Sequence, residues 1–121
     1  MADIEYEELA ANLESFVVLD VRGRDEVKKA GQIPGSHCLP IGELEDAFEL
    51  DDDTFQAKYG FAKPSAEQTL VTHCQMGGRA RRAGDALAKK GLQARVYVGS
   101  FGDWTAKGGK VDSGKPFQPT N

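Results

Sequence analysis

The sequence predicts an α/β fold built on a mainly parallel sheet with helices on both faces. Three observations lead there. Short runs of aliphatic and β-branched residues alternate with segments of helical periodicity. The run Phe16-Val17-Val18-Leu19-Asp20-Val21 is almost continuously apolar, as in a strand covered on both sides. The connections are short and carry helix stops such as Gly31 and Gly91.

Each element follows from local pattern. Ile4 and Tyr6 lead into a short amphipathic helix over 7–13, with Leu9 and Leu13 on one face. Residues 16–21 form the first strand. Residues 24–30 form a helix with Asp25 and Glu26 early and Lys28 and Lys29 late, each suited to the helix dipole. Pro34-Gly35 turns the chain into a short strand over 38–41. A helix over 43–50 presents Leu44 and Phe48. The acidic run 51–53 then caps a second helical piece over 54–58, and it lacks the alternate spacing around glycine that calcium ligands need. Residues 70–73 are a strand, 80–90 a helix whose Ala80, Ala83, Ala86 and Leu87 pack closely on a sheet, and 95–98 a last strand followed by Phe101 and Trp104. From Gly108 onward the glycine, lysine and proline content predicts a partly flexible tail over 108–121.

Length and composition bound the function. The 121 residues suit a single domain spanning 1–121, and the hydrophobic (40%) and charged (28%) fractions are those of a globular chain with no membrane-length apolar run. A net charge of −4 argues against nucleic acid as a partner. Residues 1–5 are acidic and do not form a basic-then-apolar leader, so the expected compartment is the cytoplasm. There the two cysteines, Cys38 and Cys74, are expected as free thiols.

Chemistry concentrates in Cys74-Gln75-Met76-Gly77-Gly78-Arg79, between the strand at 70–73 and the helix after it. Adjacent glycines let backbone N–H groups turn inward, and the helix adds the positive end of its dipole. A thiol in such an anion cradle ionises easily, with pKa values of roughly 3.5–7.5 against about 8.5 for a free one. A cysteine at a strand end is more often a small buried hydrophobe. Packing alone, however, requires neither paired glycines nor an arginine five residues on. The cradle alone fits phosphatases, reductases and redox sensors as well as sulfur chemistry, and an exposed thiol of low pKa is open to oxidation. Acid gathers at 43–53, whereas Arg79, Arg81, Arg82, Lys89 and Lys90 follow the cysteine; Arg79, seconded by Arg81, supplies the local positive field. The pairs His37-Cys38 and His73-Cys74 do not predict a metal, because strand neighbours point to opposite faces. No cofactor is expected.

Four ordered blocks carry a resemblance: Leu19-Asp20-Val21-Arg22 with Glu26, Gly31-Gln32-Ile33-Pro34-Gly35, the Cys74 loop, and Val98-Gly99-Ser100-Phe101 leading to Trp104. The chain resembles the rhodanese family of sulfurtransferases, in its single-domain, thiosulfate sulfurtransferase-like form. The resemblance implies a three-layer α/β/α domain with a sheet of about five strands and the loop at the carboxyl end of a central strand. It implies Cys74 as the sulfur-accepting nucleophile and Arg79 as the residue that closes the loop and binds the anionic part of the donor. Gln75, Met76, Gly77, Gly78 and Arg79 would line the substrate site; Asp20, Arg22 and Glu26 would support it as an ion-pair network, and Trp104 would border it or pack in the core. The implied partners are a small anionic sulfur donor such as thiosulfate and a thiol acceptor such as glutathione or a thioredoxin-like protein, or cyanide, with neither nucleic acid nor membrane. Gln32 and Ser100 depart from the family pattern, which often has histidine and a second glycine there, and neither is expected to touch the chemistry. Phosphatases and arsenate reductases that resemble this fold place five residues between cysteine and arginine. Here four intervene and Ala80 holds the phosphatase arginine position, which ranks sulfur transfer first. A persulfide carrier without turnover of its own is the other reading.

Overall fold

A computed structural model describes residues 3–119; positions 1–2 of the acidic N-terminal stretch and 120–121 of the expected tail lie outside the described residues. The elements run α1 (Tyr6–Ala11), β1 (Val17–Asp20), α2 (Arg24–Ala30), β2 (His37–Cys38), α3 (Leu44–Ala47), α4 (Asp52–Tyr59), β3 (Thr69–His73), α5 (Gly78–Lys89), β4 (Gln93–Val96) and α6 (Ser100–Ala106). All strand pairs are parallel, in the order β2-β1-β3-β4, with Asp20 opposite both Cys38 and His73. The α/β fold with a mainly parallel sheet is as predicted. β3 is a central strand, and Cys74 follows it at its carboxyl end.

The sheet has four strands among the described residues, where about five were expected. Beyond β4 the chain contributes one strand-like hydrogen bond, from Ile4 N to Val96 O at 3.0 Å, and then turns directly into α1. β2 stops at Cys38. Leu39 and Ile41 still donate to the carbonyls of Asp20 and Val21, but Pro40 has no N–H to give. β4 lies two residues earlier than its apolar run predicted, and the helix expected over 43–50 is a 3₁₀ turn (Ile41–Glu43) followed by the single turn of α3. Asp51 caps α4 as expected, its Oδ1 accepting from Thr54 N at 2.7 Å.

Successive strand residues feed opposite faces. Leu19 and Leu70 join Leu39, Leu44, Phe55 and Leu87 on one side, whereas Val18 and Val71 join Ile4, Leu9, Phe101 and Trp104 on the other. Helices therefore cover both faces, and the carboxyl edge is left for the loops. After α6 the chain runs back to Gln32, which exchanges backbone hydrogen bonds with Asp112 at 2.9 Å each way and accepts from Lys115 N through its side chain. Gln32 thus ties the C-terminal segment to the body of the protein.

A buried ion pair closes the carboxyl end of β1. Arg22 is fully buried and Asp20 nearly so; Arg22 Nη2 lies 2.6 Å from Asp20 Oδ2 and its Nε 2.9 Å from Oδ1. The same Nη2 donates to Gly31 O at 2.8 Å, and the guanidinium lies 4.2 Å from the centre of the Phe101 ring. One side chain thus joins β1, the end of α2 and the start of α6. Breaking a buried pair by removing one partner costs about 3–5 kcal/mol. Asp20→Ala is expected to lower unfolding free energy in urea by about that much, and Asp20→Leu with Arg22→Met to recover most of the loss. A single-variant cost below about 1 kcal/mol would show that the pair is not a support.

Candidate functional site

Two connected segments build the site: the loop from Cys74 to Gly77 and the turn from Tyr97 to Ser100 that leads into α6. The loop is shorter than its sequence implied, because α5 begins at Gly78 rather than Ala80. Gly77 precedes it with φ of 109°, in the left-handed region. A Cβ there would sit 2.4 Å from the Val98 carbonyl oxygen, so Gly77 is also where loop and turn touch. Gly78 is helical, and a Cβ on it would meet only Arg82 Nη1, at 4.0 Å. Of the two glycines, only Gly77 is demanded by the backbone.

The carbonyls of the loop face away from the thiol. Phe101 N donates to Cys74 O at 2.9 Å and Gly102 N to Gln75 O at 3.1 Å, so the first turn of α6 takes them. The amides are thereby left to the sulfur. Gly77 N donates to Cys74 Sγ at 3.0 Å, the one backbone hydrogen bond to the sulfur among the described residues. Cys74 is only 1% exposed, a correction to the expected exposed thiol. Burial pushes its pKa up, but the amides of Ala80, Gly77 and Met76, together with the Ser100 hydroxyl, outweigh burial and hold it below the ordinary value. The stability linked to this ionisation is therefore fully present above the ordinary thiol pKa. It is lost as the pH falls through the lowered one.

Arg79 lies in the first turn of α5 and forms a bidentate pair with Glu26, Nη1 to Oε1 at 2.6 Å and Nη2 to Oε2 at 2.9 Å. Glu26 Oε1 also accepts from Gly23 N at 2.9 Å, which fixes the carboxylate from the start of α2. The Arg79 bond holds Glu26 down at a pKa of about 2, so the pair is intact across the neutral range. Glu26 raises the Arg79 pKa in turn, and the nearby Cys74 sulfur adds to that shift.

The remaining candidate residues fall into separate places. Gln75 is half-buried and Met76 is 80% exposed. Asp20 and Arg22 lie behind the site, with His73 Nε2 3.7 Å from Asp20 Oδ2; burial lowers the His73 pKa and keeps the ring neutral. Trp104 is buried in the core cluster with Phe101 and Tyr97, its Nε1 donating to Lys110 O at 2.8 Å, and takes the core place of the two the sequence allowed. Arg81, read as a second source of positive field, pairs instead with Asp3 at 2.7 Å, away from the loop. The cation beside Gly78 is Arg82, one helix position later. No three His, Cys, Asp or Glu side chains among the described residues converge on a common point where a metal could be held. His37 stacks on Phe61 at 4.0 Å between ring centres.

Two groups escaped the sequence reading. One is the Ala80 amide, hidden by the misplaced start of α5. The other is Ser100, whose Oγ accepts from Cys74 N at 3.1 Å and lies 3.8 Å from Cys74 Sγ, correcting the expectation that it stands clear of the chemistry. Its departure from glycine in the fourth block was the available signal.

A family model described as "Rhodanese-like domain" matches residues 5–107. A human thiosulfate:glutathione sulfurtransferase is 40% identical over 92 residues, covering 74% of this chain and 79% of that one. A rhodanese domain-containing protein of Drosophila melanogaster is 32% identical over 110 residues, 90% of this chain and 99% of that one. Among solved structures, a human single-domain sulfurtransferase superposes with a TM-score of 0.83 at 37% identity, covering 87% of this chain and 96% of that one. Relatives from Schizosaccharomyces pombe and Saccharomyces cerevisiae carry "mitochondrial" in their names, and the matched regions span 66% and 62% of their lengths.

The two glycines are expected to respond differently to a methyl group. Gly77→Ala should destabilise by well over about 1 kcal/mol in urea unfolding, from its left-handed φ and its contact with Val98. Gly78→Ala should be neutral or stabilising by up to about 1 kcal/mol, as in any open helical position. Equal effects would mean that the loop backbone has another conformation.

Proposed function

The chain belongs to the rhodanese-like domain family, and on that premise we propose that it is a sulfurtransferase whose Cys74 carries sulfur as a persulfide from an anionic donor to a thiol. The observation that carries this reading is a single buried thiol that accepts from Gly77 N at 3.0 Å and lies 3.8 Å from the Ser100 hydroxyl, in a loop that reaches its arginine after four residues. A ring of that size suits one sulfur atom. In the first half-reaction the Cys74 thiolate attacks the outer sulfur of thiosulfate. The new S–S bond forms as the donor's own S–S bond breaks, its electron pair leaving with sulfite, and an anionic Cys74 persulfide remains. The cradle amides then stabilise the terminal sulfur as an oxyanion hole would stabilise oxygen. In the second half a thiolate attacks that sulfur and Cys74 departs as thiolate.

Arg79 faces the donor's sulfonate while Glu26 holds its guanidinium in place; Gln75, Met76, Gly77 and Gly78 form the mouth. Asp20 and Arg22 support the site from behind. Glutathione or a thioredoxin-like protein is the proposed acceptor, the former by analogy with the human relative's name. No helix among the described residues is long and apolar enough to cross a membrane. The proposed compartment is the cytoplasm, where Cys38 and Cys74, free in the structure, stay reduced.

Incubation with thiosulfate followed by intact mass measurement is expected to show one added sulfur, removed by glutathione and absent in Cys74→Ser. No gain, or a gain that survives Cys74→Ser, would exclude the reading. Sulfur loading that occurs only from a co-purifying protein would favour a carrier, and turnover of an aryl phosphate would favour a phosphatase. Arg79→Ala is expected to lower kcat/KM for thiosulfate by about 10²–10³-fold, as for loss of one charge-stabilising donor. Its unfolding free energy should change by no more than about 1 kcal/mol, since the pair with Glu26 is partly exposed. Equal losses in both would make Arg79 structural.

A further inference from the structure

Ser100 is the only non-glycine residue with positive φ among the described residues, at 60°, and it is fully buried. Serine in that region costs about 1–2 kcal/mol, which a glycine would avoid. The cost persists at a position whose side chain reaches the reactive residue. Ser100 Oγ accepts from Cys74 N at 3.1 Å and donates to Tyr97 O at 2.9 Å, with Cys74 Sγ 3.8 Å away. The next amide, Phe101 N, donates to Cys74 O. Cys74 is thus gripped at both its main-chain groups by consecutive residues of one turn.

A hydroxyl has one proton and two lone pairs. One lone pair is committed to Cys74 N–H, and the proton has two acceptors within reach, the neutral Tyr97 carbonyl and the sulfur. An anionic sulfur is the stronger acceptor, because bonds to ionised groups are shorter and stronger than neutral ones. We propose that Ser100 is a positioning residue for Cys74: its hydroxyl fixes the Cys74 main chain and turns its proton to the sulfur whenever that sulfur is anionic. The left-handed backbone aims Cβ into the site, and the hydroxyl supplies a donor that no glycine can. The proposal rests on sulfur chemistry at Cys74 for its meaning in turnover. Its physical content, a fourth donor to the sulfur, stands apart from the donor used.

The test separates hydroxyl from backbone. In a Cys38→Ser background, so that only Cys74 reacts, the pH dependence of iodoacetamide alkylation is measured for Ser100, Ser100→Gly and Ser100→Ala. Both variants lose the hydroxyl, but only Ala keeps the strain. The alkylation midpoint is expected to rise by about one pH unit in both, while urea unfolding shows Gly the more stable of the two. Thiosulfate kcat/KM is expected to fall about tenfold in both, the rate equivalent of one pKa unit. An unchanged midpoint in Ser100→Gly overturns the proposal, even if Ser100→Ala fails to fold. So does a midpoint that moves in Ala alone, which would assign the effect to strain. Failure of the parent protein to take up sulfur would count against the sulfurtransferase reading, whereas the midpoint shift is read without any sulfur donor.

Discussion

Burying an anionic sulfur requires donors that replace water, and the loop of this protein is organised around meeting that requirement for Cys74. A buried ion without partners would neutralise itself by shifting its pKa upward. Here the amides of Met76, Gly77 and Ala80 and the Ser100 hydroxyl reverse the shift. Their availability depends on what happens to the carbonyls, which the first turn of α6 removes from the site. It depends equally on α5 beginning at Gly78, since an α-helix leaves its first amides without internal acceptors. The cradle is therefore a product of two helix starts, one giving amides and the other taking carbonyls.

Those helix starts are held in register by charge. Arg22, paired with Asp20 and bonded to Gly31 O, also stacks on Phe101, the residue whose amide takes the Cys74 carbonyl. Glu26 reaches from α2 to Arg79 in the first turn of α5. The two pairs differ in kind. Asp20–Arg22 is fully desolvated and fixes geometry, whereas Glu26–Arg79 is partly exposed.

Much of this was legible in the sequence, because the signals were of kinds that local physics controls. Periodicity placed β1, β3 and all of α5 but its start, and the glycine loop with its arginine marked the candidate site. The errors came where neighbours decide. Pro40 shortened β2 while its flanking amides still paired, and the N-terminal segment reached the sheet edge for one bond before α1 began. Helix spacing alone could not tell Arg81 from Arg82, because which one pairs with Asp3 is a matter of tertiary placement. Ser100 was visible as a departure from a glycine pattern, but its meaning lay 26 residues away in Cys74.

The most direct measurement is the ionisation of Cys74 itself. The thiolate absorbance of the reduced protein, minus that of Cys74→Ser, titrated from acid to alkaline pH, reads that one group. A midpoint clearly below about 8.5, the ordinary thiol value, is expected if the cradle outweighs burial. A midpoint at or above that value would mean that burial wins, and that the loop does not stabilise an anionic sulfur.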